Sequence, residues 1–299
     1  MHNLLTIRDY VRWATSEFDR RQLFLGHGSD SYWDEATFLV LGAIHLPWDC
    51  SANILDARLT EEEKQHVQTL LRRRIEDHVP VPYLLGEAWF CDLRFKINEH
   101  TLIPRSPIAE LIQHRFAPWL SQEPDSILDL CTGSGCIGIA CAHEFDQTRV
   151  LLTDISAEAL VVAQQNITDY RLEDRVSVLH SDLFSALTEA HQFDLIVTNP
   201  PYVDAEDFAD MPEEYRNEPS LALVSGHDGL DACKEILRRS ADHLTEHGVL
   251  ICEVGNSAGA LQEQYPDIPF TWIEFQNGGF GVFLLTKAEL LEHRHWFEN

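Results

Sequence analysis

Ile127-Leu-Asp-Leu-Cys-Thr-Gly-Ser-Gly-Cys-Ile-Gly138 reads as a buried strand, a glycine turn and the start of a helix. Gly133, Gly135 and Gly138 satisfy G-x-G-x-x-G in the strand–turn–helix context that gives this motif meaning. Asp154 ends the next strand candidate, 21 residues beyond Gly133. A carboxylate there can accept hydrogen bonds from both ribose hydroxyls of an adenosine ligand.

Downstream of this stretch, strand and helix patterns alternate. Strand candidates fall at 127–131, 149–154, 176–180, 193–198, 248–254, 270–275 and 281–286, with helix candidates at 136–145, 156–168, 229–246 and 256–264. Such alternation implies an α/β fold with a doubly wound, mostly parallel sheet, whose ligands gather at the C-terminal strand ends near the switch in strand order.

Upstream, residues 1–78 read as helical. Leu5, Val11, Trp13 and Phe18 fall near one stripe, and Phe38, Leu39, Leu41 and Ile44 on a second segment. A third starts at the cap Thr60-Glu-Glu-Glu63 and ends among Arg72-Arg73-Arg74, expected as a solvated helix C-terminus. Val79-Pro-Val-Pro82 breaks helix, and Glu87–Ile97 divides around Cys91-Asp92 as a β-hairpin. Ile103-Pro-Arg105 then leads into a helix over 108–120. The domain reading is 1–80 as a helical substrate-recognition domain, 81–105 as a hairpin linker and 106–299 as a Rossmann-like domain.

Composition narrows the function. The 299 residues carry 49 acidic against 22 basic side chains, a net charge of −27. Duplex DNA calls for a basic surface, so this balance opposes direct DNA binding and favours a basic partner. The imbalance is uneven: −5 over residues 1–100 and −22 over 101–299. The seven cysteines form no C-x-x-C pair, and the 15 histidines show no metal-ligand spacing. Free thiols in a reducing, cytoplasmic compartment are expected, without a metal site. No stretch approaches the roughly 18–20 apolar residues of a membrane span, and Arg8 and Asp9 bring charge too early for a signal peptide.

The glycine loop alone leaves NAD and S-adenosylmethionine open, since both present adenosine. Asp129 before the turn, with Thr132 and Ser134 in it, gives an acidic, polar loop that suits a sulfonium and a zwitterionic methionine tail better than a pyrophosphate. The cofactor site is read as Asp129, Thr132, Gly133, Ser134, Gly135, Cys136, Asp154 and Ile155, with Asn199 at its far end. Asp182 and Leu183, in His180-Ser-Asp-Leu-Phe184, would face the adenine amino group and the ring. A helix N-cap at Asp182 fits the same residues.

Phe193-Asp-Leu-Ile-Val-Thr-Asn-Pro-Pro-Tyr202 is a buried strand ending in a rigid polar turn. The Asn199 side-chain oxygen and the Pro200 carbonyl can each accept one N–H of a planar NH2 group. Pro201 fixes the turn, and Tyr202 can stack on the planar face. An amide or aryl-amine nitrogen is a poor nucleophile because its lone pair is delocalised. Two acceptors holding its hydrogens orient that lone pair toward a methyl carbon and stabilise the developing positive charge. No strong base is then needed before an in-line displacement. Asn199, Pro200 and Tyr202 are the expected catalytic residues; with Pro201 they form the expected substrate site.

At this point the chain resembles the class I S-adenosylmethionine-dependent methyltransferases with Asn-Pro-Pro-Tyr, and more closely the protein-(glutamine-N5) methyltransferases. The resemblance covers nearly the whole chain. It includes Tyr83-Leu-Leu-Gly86, Ile103-Pro-Arg105, Leu128–Gly135, Asp154, Asn199–Tyr202, Asn217-Glu-Pro219 with Leu221-Ala-Leu223, Gly226-His-Asp-Gly-Leu230 and Glu253-Val-Gly255. It implies a Rossmann-like, mostly parallel seven-stranded sheet behind an N-terminal helical domain. It also implies S-adenosyl-L-methionine as cofactor and glutamine as acceptor. One bacterial branch methylates peptide-chain release factors and usually continues Ile-Pro-Arg with Pro and a Thr-Glu pair. This chain has Ser106-Pro-Ile-Ala109, and with Trp89-Phe90 it resembles the branch that acts on large-subunit ribosomal protein three.

Charge points the same way. Asp204, Glu206, Asp207, Asp210, Glu213, Glu214 and Glu218 follow Tyr202 with only Arg216 opposing, an acidic loop suited to a basic ribosomal protein. An adenine-N6 nucleic-acid methyltransferase shares the cofactor loop and nitrogen chemistry, but the chain lacks a basic patch interleaved with aromatics. An NAD-dependent dehydrogenase leaves Asn199–Tyr202 without a role, and a non-catalytic binding protein leaves both motifs without one.

Overall fold

The computed structural model describes residues 3–298, which divide into two compact units. The first comprises residues up to Glu87 together with Pro212–Asn217. Its helices are α1 (Ile7–Arg21), α2 (Tyr32–Ala43), α3 (Glu61–Glu76) and the short α4 (Val81–Leu85). Thr6 and Thr60 start α1 and α3 with reciprocal capping boxes to Asp9 and Glu63. Tyr10, Val11, Ala14 and Phe18 of α1 pack on Leu39 and Val40 of α2 and on Val67, Leu70 and Leu71 of α3. Leu5 precedes the Thr6 cap and is exposed, so it stands outside the expected stripe.

Arg74 departs from the expected solvated helix end. Its side chain is only 1 % exposed: Nε meets Glu35 Oε1 at 2.6 Å and Nη1 meets Glu214 Oε1 at 3.0 Å. Nη2 donates to the Phe24 carbonyl at 2.8 Å. Glu214 also accepts the Phe24 N–H at 3.0 Å, and Asn217 Nδ2 donates to the His78 carbonyl at 3.1 Å. The acidic segment 212–217 is thus pinned to the helices by a cation that charge patterning assigned to solvent.

The second unit comprises Ala88–Met211 and Glu218 onward. Strands β1 (Glu87–Phe90) and β2 (Leu93–Lys96) form the expected hairpin, with Cys91 and Asp92 both at positive φ, as a two-residue turn matched to strand twist requires. Helix α5 runs over Ile108–Gln113 only. The expected extension to 120 fails because Arg115 and Phe116 turn left-handed ahead of Pro118, which cannot continue a helix.

The sheet elements follow as β3 (Ser126–Leu130), α6 (Cys136–Glu144), β4 (Arg149–Asp154), α7 (Ala157–Asp169), β5 (Val176–His180) and β6 (Phe193–Thr198). After α8 (Ala205–Asp210) come α9 (Asp231–His243), β7 (Leu244–Glu253), α10 (Ala258–Gln264), β8 (Thr271–Trp272), β9 (Val282–Thr286), α11 (Lys287–Glu292) and α12 (Arg294–Phe297). The expected helix over 229–246 is trimmed at both ends, by Gly229 at positive φ and by β7 beginning at Leu244.

Strand order is β5-β4-β3-β6-β7-β9-β8. Only β9 runs against its neighbours; β3 to β7 pair in parallel. Alternate residues feed opposite faces: Ile127, Leu195, Val197 and Ile251 join one core, and Leu128, Ile196, Leu250 and Cys252 join the other. This is the mostly parallel, seven-stranded α/β architecture expected. The order reverses between β3 and β6, so the loops after Leu130 and Thr198 open a crevice at their C-terminal ends.

Replacing Arg74 with Met keeps the aliphatic stem and leaves Glu35 and Glu214 buried without their cation. Urea denaturation of the full chain is expected to show a loss of about 3–5 kcal/mol in the transition that reports the helical unit. A loss below about 1 kcal/mol would mean that the buried cluster is dispensable.

Candidate active site

The glycine turn is built around Asp129. Its Oδ2 accepts the Thr132 hydroxyl at 2.5 Å and the Gly138 N–H at 2.8 Å. A Cβ at Gly138 would lie 2.2 Å from Leu152 Cδ2 and 3.0 Å from Asp129 Cβ, so a side chain there would have to displace its neighbours. Gly133 and Gly135 take positive φ, as the turn demands. Asn166, buried on α7, donates to the Ser134 carbonyl at 2.9 Å and the Lys96 carbonyl at 3.0 Å, and accepts the Lys96 N–H at 2.8 Å. It fastens loop and hairpin to the same helix, a role no motif announced.

Asp154 ends β4 beside the turn. Its Oδ2 accepts the Gly133 N–H at 2.8 Å and its Oδ1 the Ser156 N–H at 2.9 Å. Burial raises its pKa, opposed by these backbone donors. Each oxygen keeps a lone pair for a further donor.

These residues face one cavity of about 550 Å³, a volume typical of small-molecule sites. Thr132, Gly133, Ser134, Cys136, Asp154, Ile155, Asp182, Leu183, Asn199 and Pro201 line it. Asp129 and Gly135 do not; they shape the turn from behind. Pro200 and Tyr202 also stand outside the lining. The Tyr202 hydroxyl donates to Glu253 Oε1 at 3.0 Å, and one ring edge abuts Gly255, where a Cβ would come within 2.5 Å.

The helix N-cap alternative for Asp182 does not survive. No helix follows it, and the turn is closed instead by Ser181, whose Oγ accepts the Ala186 N–H at 3.1 Å and donates to the Leu183 carbonyl at 2.5 Å.

Asn199 follows β6 at the switch point. Its Oδ1 is buried yet has no hydrogen-bond partner, an expensive state for an amide oxygen. Ser134 Oγ is a second partnerless polar atom at the cavity. Further wall comes from Leu102 and Pro104–Ser106 and from residues within 219–226, with Asp231 at the start of α9. Glu218 joins its two halves: it pairs with Arg105 Nη1 at 2.8 Å and accepts the Ile103 N–H at 3.1 Å. Ile-Pro-Arg and Asn-Glu-Pro were both visible as motifs, and their mutual contact was the missing signal.

A family model, the methyltransferase small domain, matches residues 113–214. A ribosomal protein uL3 glutamine methyltransferase of Francisella tularensis subsp. tularensis is 51 % identical over 300 aligned residues, covering 100 % of this chain and 95 % of that one. A protein of the same description from Neisseria meningitidis serogroup A is 46 % identical over 290 residues, covering 96 % and 95 %. The chain belongs to the ribosomal protein uL3 glutamine methyltransferase family.

The enzyme is an S-adenosylmethionine-dependent methyltransferase, and its residues suit that cofactor. Asp154 offers free lone pairs, Ser134 offers a partnerless hydroxyl, and the turn presents backbone to the cavity. Among solved structures, the catalytic domain of hMettl16 in complex with MAT2A 3'UTR hairpin 1 superposes with a TM-score of 0.51 at 18 % identity, covering 78 % of this chain and 83 % of that one. That likeness is one of fold.

Asp129 supplies a pH test. Desolvation pushes its pKa from the usual 3.8 up to about 7, against the Thr132 and Gly138 donors. The stability tied to its protonated form is fully present below 3.8 and lost as pH rises through about 7. The stability of Asp129→Asn relative to the parent is therefore expected to rise between about pH 5 and pH 8, by more than about 1 kcal/mol in urea titrations. A flat difference would contradict the burial argument.

Proposed function

We propose that the enzyme transfers the methyl group of S-adenosylmethionine to the side-chain nitrogen of a glutamine in ribosomal protein uL3. The observation that carries this reading is Asn199 Oδ1: a buried acceptor without a partner, on the wall of the cofactor cavity. Bound S-adenosylmethionine supplies an electrophilic methyl group. Thr132–Cys136, Asp154, Ile155, Asp182 and Leu183 hold the cofactor in this reading. Asn199 Oδ1 and the Pro200 carbonyl each accept one N–H of the glutamine amide, orient its lone pair and stabilise the charge that develops on nitrogen. Two prolines keep both acceptors fixed before the substrate arrives. The proton leaves after transfer, when the nitrogen has become acidic.

The names of the two bacterial relatives support uL3 as the protein substrate. The helical unit serves substrate recognition in this reading. A cytoplasmic setting suits such a substrate, and all seven cysteines are free. Among the described residues, no helix is long and apolar enough to cross a membrane.

Surface charge supports a basic substrate in a reduced form. Glu214 and Glu218 of the expected acidic loop are buried in ion pairs with Arg74 and Arg105. The acids left for docking are those of α8 and its flanks. Glu206, Asp207 and Asp210 are exposed, and Asp204 caps the helix by accepting two N–H groups.

Two experiments follow. With labelled S-adenosylmethionine and purified uL3, a release factor and unmethylated DNA offered in parallel, label is expected on a glutamine of uL3, located by peptide mass spectrometry. Asn199→Ala is expected to abolish that transfer while cofactor affinity stays within about threefold. Normal turnover in this variant, or label on DNA, would overturn the assignment. Separately, Asp207→Lys with Asp210→Lys is expected to raise KM for uL3 by about tenfold at low salt, with the gap closing as salt increases. An unchanged KM would remove the docking role of α8.

A further inference from the structure

Glu253 is the last residue of β7, and the parallel register Thr198↔Cys252 sets it next to Asn199 beyond the end of β6. It is 4 % exposed and does not line the cavity. Both of its oxygens are engaged. Oε2 accepts the Ser106 hydroxyl at 2.5 Å, and Oε1 accepts the Tyr202 hydroxyl at 3.0 Å. Ser106 Oγ in turn accepts the Ile108 N–H at 3.1 Å, which directs its own hydrogen toward Glu253. Ser106 itself lines the cavity.

Tyr202 is gripped at two further points. Its carbonyl accepts the Ser257 hydroxyl at 2.7 Å, and Gly229 and Gly255 lie so close that a Cβ at either would come within 2.2 Å or 2.5 Å of its atoms. Pro200 and Pro201 have fixed φ, so a Tyr202 held at hydroxyl, carbonyl and ring leaves the Asn199–Tyr202 turn little freedom. Placement matters at this turn, since an error of about 1 Å in a reacting group can lower a rate by about a hundredfold.

We propose that Glu253 is a positioning residue for methyl transfer: it anchors Tyr202, and through it the Asn199 and Pro200 acceptors, to the cavity wall that carries Ser106. This rests on the reading of Asn199 as the amide acceptor. The role is geometric. Glu253 receives two hydroxyls, touches no reacting atom and removes no proton.

The test uses full-length enzyme with uL3 and labelled S-adenosylmethionine. Glu253→Met removes both acceptors at nearly constant volume, and is expected to lower kcat at least about tenfold while cofactor affinity stays within about threefold. Tyr202→Phe removes the other half of the bond and is expected to lower kcat to a similar degree. The double variant is expected to be no worse than the weaker single one. Glu253→Gln, which can still accept one hydroxyl and donate to the other oxygen, is expected to restore kcat to within about threefold of the parent, with an unchanged pH profile. Three results would overturn the proposal: Glu253→Gln as inactive as Glu253→Met, multiplicative losses in the double variant, or a Tyr202→Phe enzyme with full kcat. Tyr202→Phe alters a half-buried side chain only, so it keeps the test decisive if Glu253→Met melts. A parent enzyme inactive on uL3 would count against the function proposed above, whereas the variant series speaks to Glu253.

Discussion

The site depends on one buried carboxylate oxygen. Asp129 Oδ2 takes the Thr132 hydroxyl and the Gly138 N–H, and so closes the glycine turn onto the first turn of α6. Once the turn is closed, the Gly133 N–H points at Asp154, and the two strand ends share one hydrogen-bonded edge. Gly138 helps here by letting Leu152 and Asp129 approach where a side chain would stand. A fully buried acid is an expensive way to hold a loop, and its raised pKa is the measure of that cost. What the fold obtains is a turn whose backbone geometry precedes the ligand.

The sheet then determines which residues can meet. Because β3, β6 and β7 are parallel and adjacent, their C-terminal residues emerge side by side, and the chain reversal between β3 and β6 opens the space between them. Asn199 and Glu253 follow from register alone. One is a neutral acceptor facing the cavity; the other is an acid turned away from it and satisfied by hydroxyls. A carboxylate at Asn199's position would add a further acid to a cavity already lined by Asp154 and Asp182. An amide oxygen presents an acceptor without that repulsion.

Periodicity and glycine placement made the sheet, its helices and the cofactor turn legible in the sequence, because strand alternation and loop chemistry are local. The place of Asn199 and Asp154 at strand ends on the cavity was legible for the same reason. Arg74 was not. A basic residue at a helix C-terminus is ordinarily solvated, and its burial is compensated by long-range partners, Glu35 from α2 and Glu214 from 140 residues later. Glu218 and Arg105 were each visible inside a motif, but their pairing is a long-range fact. Asn166 carried no signal, since one amide inside an amphipathic helix looks like any surface residue. The helix expected to 120 ended at Gln113, where Arg115 and Phe116 turn left-handed ahead of Pro118.

Those buried pairs change how the acidic charge should be understood. Glu214 and Glu218 bracket the crossing from one unit to the other, and each is neutralised by an arginine within its own unit. Their charge therefore fixes the conformation of the segment that follows α8 and contributes little to the field outside. The remaining acids lie on α8, directly after the turn that carries Asn199. On the proposed reading, a basic protein drawn by that field is brought to the stretch of chain proposed to hold its glutamine. In the proposed reading the acids steer encounter and neutral acceptors perform recognition. This division suits an enzyme whose target atom is an uncharged amide on a charged protein.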